Sequence, residues 1–148
     1  MVQWVTLLIL IAVNALLFSV SVPEGLSVTF FDVGQGDAIL IEGPTGVQVL
    51  VDAGPDGKAV RALGERLLFF DRTLDAVVAT HPDQDHIGGM ADVLQRYEVA
   101  HIIEPGIAND TRAWGAFLNT AEDEIQAGAV HVLARAGQRF DLGGGAYA

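Results

Sequence analysis

The chain has 148 residues, 51% of them hydrophobic and 18% charged, and its 8 Lys and Arg against 19 Asp and Glu give a net charge of −11. That length suits one domain of ordinary size, and the apolar content excludes a disordered polar chain. So acidic a sequence excludes gripping nucleic acid by charge alone, and the lack of cysteine removes disulfides and thiolate metal ligands.

No charged residue occurs from Met1 to Pro23, and Trp4 to Val22 is apolar except at Thr6, Asn14, Ser19 and Ser21. As a helix this run comes close to the roughly 20 apolar residues that span a bilayer. Ser19-Val20-Ser21 faintly resembles the cleavage site of a secretory signal, but such a signal opens with Lys or Arg and none is present. Residues 1–23 are therefore expected to form one transmembrane anchor, with residues 24–148 as the folded domain. The first basic residue is Lys58. By the positive-inside rule a flank without Lys or Arg leads us to expect the domain outside the cytoplasm, although the amino-terminal flank is equally bare.

Leu26 to Phe31, rich in Val, Thr and Phe, reads as a strand. After Gly34-Gln35-Gly36, Ala38 to Ile41 and Val47 to Val51 read as a hairpin around the turn Gly43-Pro44-Thr45-Gly46. Val60, Leu63 and Leu67 then share one helical face, with Arg61, Glu65 and Arg66 on a solvated one. Leu74 to Ala79 reads as a buried strand, and Met90, Val93, Leu94 and Tyr97 as the apolar stripe of a helix. Val99 to Ile103 is a strand. Asn109-Asp110-Thr111 offers an N-cap to a helix with Trp114, Phe117, Leu118, Ala121 and Ile125 inward. Val130 to Leu133 and Phe140 to Leu142 are further strands. Alternating strands and helices behind a hairpin predict an α/β (α+β) fold on a mixed sheet. Gly143-Gly144-Gly145 is a turn before a strand that begins at Ala146, which would leave an unpaired edge; the chain is expected to be incomplete.

The chemistry concentrates in Thr80-His81-Pro82-Asp83-Gln84-Asp85-His86-Ile87-Gly88-Gly89. The segment follows a buried strand and precedes a helix, so it lies at the carboxyl edge of the sheet, where open α/β sheets bind ligands. His81, Asp83, Asp85 and His86 supply nitrogen and oxygen donors suited to zinc or manganese. A turn holding four ligands can divide them between two adjacent ions, with His81 and Asp83 on one and Asp85 and His86 on the other. A solvated turn capping a helix explains one Asp and one His, but not four alternating donors before Gly-Gly.

This loop resembles the metallo-β-lactamase superfamily signature His-x-His-x-Asp-His, with Asp83 where the second His stands. Together with Phe31-Asp32-Val33-Gly34-Gln35-Gly36-Asp37-Ala38, it makes the chain from about Leu26 onward similar to the domain attached to ComEC-type competence (DNA-uptake) proteins. The resemblance implies an αββα sandwich, here its amino-terminal half, holding two divalent metal ions (Zn or Mn). It implies hydrolase chemistry with Asp85 as the catalytic carboxylate, action on a DNA strand during uptake, and attachment to a membrane channel region in a bacterial-type cell membrane. The harder Asp83 ligand makes manganese more competitive with zinc. The family's third His, bridging Asp and final His-rich loop would lie beyond Ala148, so the chain alone is expected to bind metal weakly and turn over nothing. A stand-alone anchored metallohydrolase and a metal-free structural module remain as alternatives.

Asp52 ends a strand before Ala53-Gly54. A crossover from that strand to the Leu74 strand would bring Asp52 and His81 to one edge. The family has an Asp here that supports the metal loop, so Asp52 is expected to hold ligands in place rather than bind metal. Gly34 and Gly36 are not a dinucleotide fingerprint, because Ile39 stands where a third Gly is needed and a strand follows; they allow a sharp turn near the metal edge. Asp32 and Asp37 either line the site or satisfy backbone donors in that turn. His101 and His131, inside strands, are expected to be structural.

Overall fold

The computed structural model describes residues 2–21 and 25–148, with the side chains of the first segment described from Trp4 to Asn14. The amino-terminal apolar run forms helix α1 (Val2–Ser21), on which the side chains from Trp4 to Val13 lie exposed. Among the described residues no helix is long and apolar enough to cross a membrane. The anchor expected at residues 1–23 includes positions outside the described residues.

Six strands form one mixed sheet in the order β1 (Ser27–Phe30), β2 (Ile39–Glu42), β3 (Gln48–Val51), β4 (Thr73–Val78), β5 (Glu98–Glu104) and β6 (Val130–Leu133). The first three run antiparallel, as short turn-linked strands do, and β3 through β6 run parallel. Parallel neighbours need crossovers, and helices supply them: α2 (Lys58–Arg66), the short pair α3 (Gln84–Ile87) and α4 (Met90–Leu94), and α5 (Arg112–Ala127).

All three crossovers pack on one face. Leu40, Leu50, Val77 and Ile102 from the sheet join Leu63, Met90, Val93, Trp114 and Phe117 from the helices in one buried cluster. Tyr97 belongs to that core although α4 stops at Leu94, so its side chain packs from the loop and its hydroxyl accepts from Arg72 at 3.2 Å. Leu118, expected inside α5, is exposed, because the helix rests on the sheet through Trp114, Phe117 and Ala121. Arg66 is not simply solvated: it pairs with Glu42, a carboxylate only 5% exposed at the end of β2.

The opposite face carries Val49 and Ala76, with Ile41, Val51, Val78 and Ile103 around them. Across it lies a hairpin of β7 (Asp141–Gly143) and β8 (Ala146–Tyr147), which inserts Leu142. The final strand pairs with β7 in a separate two-stranded sheet that no further strand extends among the described residues. It folds back on β7, and Phe140 and Ala148 exchange backbone hydrogen bonds of 2.8 and 2.9 Å.

Candidate metal centre

Three loops meet at the carboxyl edge of β3 and β4. Because these strands are parallel, with Val51 beside Val78, the residues that follow each emerge side by side. Backbone hydrogen bonds then tie the loops together. Gly54 N donates to Asp37 O at 2.8 Å, Ala53 N to His86 O at 2.7 Å, and Gly89 N to Gly54 O at 2.9 Å. Close approaches between the loops demand glycine at several positions, Gly36 and Gly89 among them. A Cβ at Gly36, where φ is 99°, would overlap the Asp85 carbonyl, and one at Gly89 would overlap the Ala53 and Asp56 carbonyls. Gly34 also takes a positive φ, of 86°, and Lys58 Nζ donates to Val33 O of the same loop at 3.1 Å.

Asp52 is the buried centre of the arrangement, 2% exposed. Its backbone N–H extends the β3–β4 ladder by donating to Val78 O, and its φ then turns to +56°. Asp tolerates this left-handed conformation better than most residues. The turn aims the carboxylate at the loop that carries His81 and His86. Oδ1 accepts from Thr80 N at 2.9 Å, while Oδ2 accepts from Thr80 Oγ1 at 2.6 Å and faces His86 Nδ1 at 2.8 Å.

The His81 and His86 rings lie with centroids 3.9 Å apart at 49°. His81 Nε2 is 3.5 Å from Asp83 Oδ2, and His81 Nδ1 is 2.9 Å from Thr80 Oγ1. Two donors sharing a tetrahedral zinc sit about 3.4 Å apart, so the His81–Asp83 spacing suits a shared cation. His86 Nδ1 also lies 3.8 Å from Asp37 Oδ2. Ligand atoms of Asp52, His81 and His86 fall within 4.8 Å of one another, a grouping able to hold a metal ion. The donor chemistry fits a divalent cation: two imidazoles with adjacent carboxylates, in a rim whose acidic groups such a charge would offset.

Of the predicted residues, His81, His86 and Asp52 come together in that grouping, with Asp83 beside His81 alone. Asp85 does not join that grouping; it sits in the first turn of α3 beneath Gly36. Asp37 faces His86, whereas Asp32 accepts from Gly34 N at 3.3 Å and so closes its own turn. His101 and His131 lie elsewhere. His101 Nδ1 is 2.9 Å from Asp75 O with the ring edge-on to Phe140, and His131 Nε2 is 3.0 Å from Glu104 Oε1. The sequence reading assigns no role to Thr80, nor to Gln84, whose Nε2 donates to Pro55 O at 2.8 Å. The position of Thr80, between a strand end and the first His, was the available signal for the former.

Comparisons with known proteins agree with this architecture. The chain is 32% identical over 95 residues to ComE operon protein 3 of Bacillus subtilis, covering 53% of this chain and 12% of that protein. It is 31% identical over 121 residues to Recombination protein 2 of Haemophilus influenzae, covering 78% of this chain and 15% of that protein. It thus spans a small part of the length of both relatives, which carry the likeness to ComEC-type proteins. Among solved structures, a metallo-β-lactamase from Cronobacter sakazakii shares the fold with a TM-score of 0.54 at 20% identity, over 84% of this chain and 51% of that one. The superfamily match itself runs over residues 31–146, and with it this chain belongs to the metallo-β-lactamase superfamily.

Proposed function

We propose that the chain is the metal-binding part of a membrane-linked hydrolase that acts on a phosphodiester substrate, a DNA strand during uptake. The observation that carries this reading is the convergence of His81, Asp83 and His86 over Asp52 at the carboxyl edge of the sheet. Two divalent ions, zinc or manganese, would be held by His81 and Asp83 and by Asp85 and His86. When bound, they supply Lewis-acid polarisation of a phosphoryl oxygen and an acidified water. This chain's own residues orient the imidazoles through Asp52 and hold the three loops in register.

The likeness to ComE operon protein 3 and Recombination protein 2 supports the DNA-uptake setting, with a channel region and the membrane as partners. An anchor at residues 1–23 is supported by the uncharged run and the exposed apolar side chains of α1, and placing the domain on the extracytoplasmic side rests on the absence of Lys and Arg before Lys58. The finer architecture, one half of an αββα sandwich, is supported by the sheet face opposite the helices. There Ile41, Val51, Val78, Ile103 and Phe140 line an open apolar cavity of about 500 Å³, suited to a second sheet.

Calorimetric titration of the chain in detergent with Mn²⁺ or Zn²⁺ tests the metal reading. Weak saturable binding, lost in His81→Ala and His86→Ala, is expected, with no hydrolysis of a single-stranded oligonucleotide by the chain alone. Absence of binding to either ion would sink the reading. Robust turnover abolished by Asp85→Ala would overturn the expectation that the chain alone is inactive.

A further inference from the structure

We infer that Thr80 is a positioning residue: its hydroxyl couples His81 to Asp52, so that one buried carboxylate sets the tautomer of both metal-facing imidazoles. The inference rests on the proposed metal site for its purpose, though the hydrogen-bond logic does not depend on a metal being bound.

Counting protons fixes both tautomers. A carboxylate has acceptors only, a hydroxyl has one proton to give, and a neutral imidazole has one N–H. Thr80 Oγ1 lies 2.6 Å from Asp52 Oδ2, so its proton must point at the carboxylate; turned away, two acceptors would face each other at that distance. The hydroxyl then has only lone pairs for His81 Nδ1 at 2.9 Å, and Nδ1 must be the protonated nitrogen of His81. His86 Nδ1, 2.8 Å from the same Asp52 Oδ2, must also donate. Asp52 Oδ1 is taken up by Thr80 N. Both rings therefore carry Nδ1–H and offer an unprotonated Nε2, the form in which imidazole binds a metal.

The chain runs from His81 through Thr80 to Asp52 and back from His86. Its two arms differ: His86 touches Asp52 directly, while His81 reaches it only through the Thr80 hydroxyl. A substitution at Thr80 therefore discriminates between the histidines. Thr80 is also exposed, so an isosteric valine disturbs no core packing.

The test is long-range proton–nitrogen NMR on the full, metal-free, ¹⁵N-histidine-labelled chain in detergent micelles. The pH is held about two units above the ordinary histidine range. Nδ1–H is expected on both His81 and His86. In Thr80→Val, His81 is expected to become a mixture of tautomers while His86 keeps its own, and Thr80→Ser is expected to restore His81. Titration with Mn²⁺ or Zn²⁺ is expected to find affinity about 10-fold lower in Thr80→Val and recovered in Thr80→Ser. A wild-type His81 protonated on Nε2 would overturn the inference before any variant is made. So would an unchanged His81 spectrum in Thr80→Val. If the wild-type tautomers are as expected but neither ion binds, the coupling stands and the proposed metal function fails.

Discussion

Asp52 combines a left-handed backbone, near-complete burial and three side-chain hydrogen bonds within one residue. Its conformation is costly, of the kind kept where surrounding structure demands it. Asp52→Asn retains a residue that tolerates positive φ but offers one acceptor oxygen where two are used. Metal affinity is expected to fall about 10–100-fold, measured by calorimetry, with a far-UV spectrum like that of the parent. Gly36→Ala acts differently, since the added methyl meets the Asp85 carbonyl and the backbone is strained at φ 99°. We expect a loss of about 1–3 kcal/mol in urea unfolding, together with weaker metal binding as Asp85 is displaced. His81, Asp83, Asp85 and His86 stood out in the sequence as candidate donors because they are adjacent, whereas the structure groups His81 and His86 with Asp52, sets Asp83 beside His81 and leaves Asp85 outside that grouping. The relay through Thr80 did not stand out, because a hydroxyl acquires that role only when a carboxylate 28 residues away is brought against it.

At the scale of the element, α5 shows how local and tertiary terms divide. Its start was readable: Asn109 Oδ1 accepts from Thr111 N at 2.8 Å, and Thr111 Oγ1 accepts from Trp114 N at 3.3 Å, which satisfies a free helix donor. Thr111→Ala is expected to cost about 1 kcal/mol. Thermal melts compared with Thr111→Ser, which keeps the cap, check this. Phe117, fully buried between α5 and the sheet, should cost about 3–5 kcal/mol on replacement by Ala. Strands and helices appeared where alternation and helical spacing announced them, but two boundaries did not. The stripe from Met90 to Tyr97 carries a helix only to Leu94, and the last strand finds a partner in β7. Periodicity reports which residues are buried; it does not say whether a helix or a returning loop buries them.

For the whole molecule, a net charge of −11 with carboxylates gathered at one rim makes bound cations a source of stability. Mn²⁺ or Zn²⁺ at about 100 times its dissociation constant should stabilise the fold by about 2.7 kcal/mol. Differential scanning calorimetry should find a higher Tm that EDTA reverses and that His86→Ala abolishes. An unchanged Tm in saturating metal would mean that the rim binds no cation in the folded state. The amino-acid sequence by itself determined that His and Asp side chains cluster in one segment, that this segment follows a buried strand, and the alternation that makes a mixed α/β sheet, because these depend on neighbours a few residues apart. Only the tertiary structure decided that Asp52 faces His86, that Asp37 lines the site while Asp32 closes a turn, and which ring nitrogen each histidine presents. Those choices are set by parallel pairing of β3 with β4 and by loops crossing between them, contacts between segments that are distant along the chain.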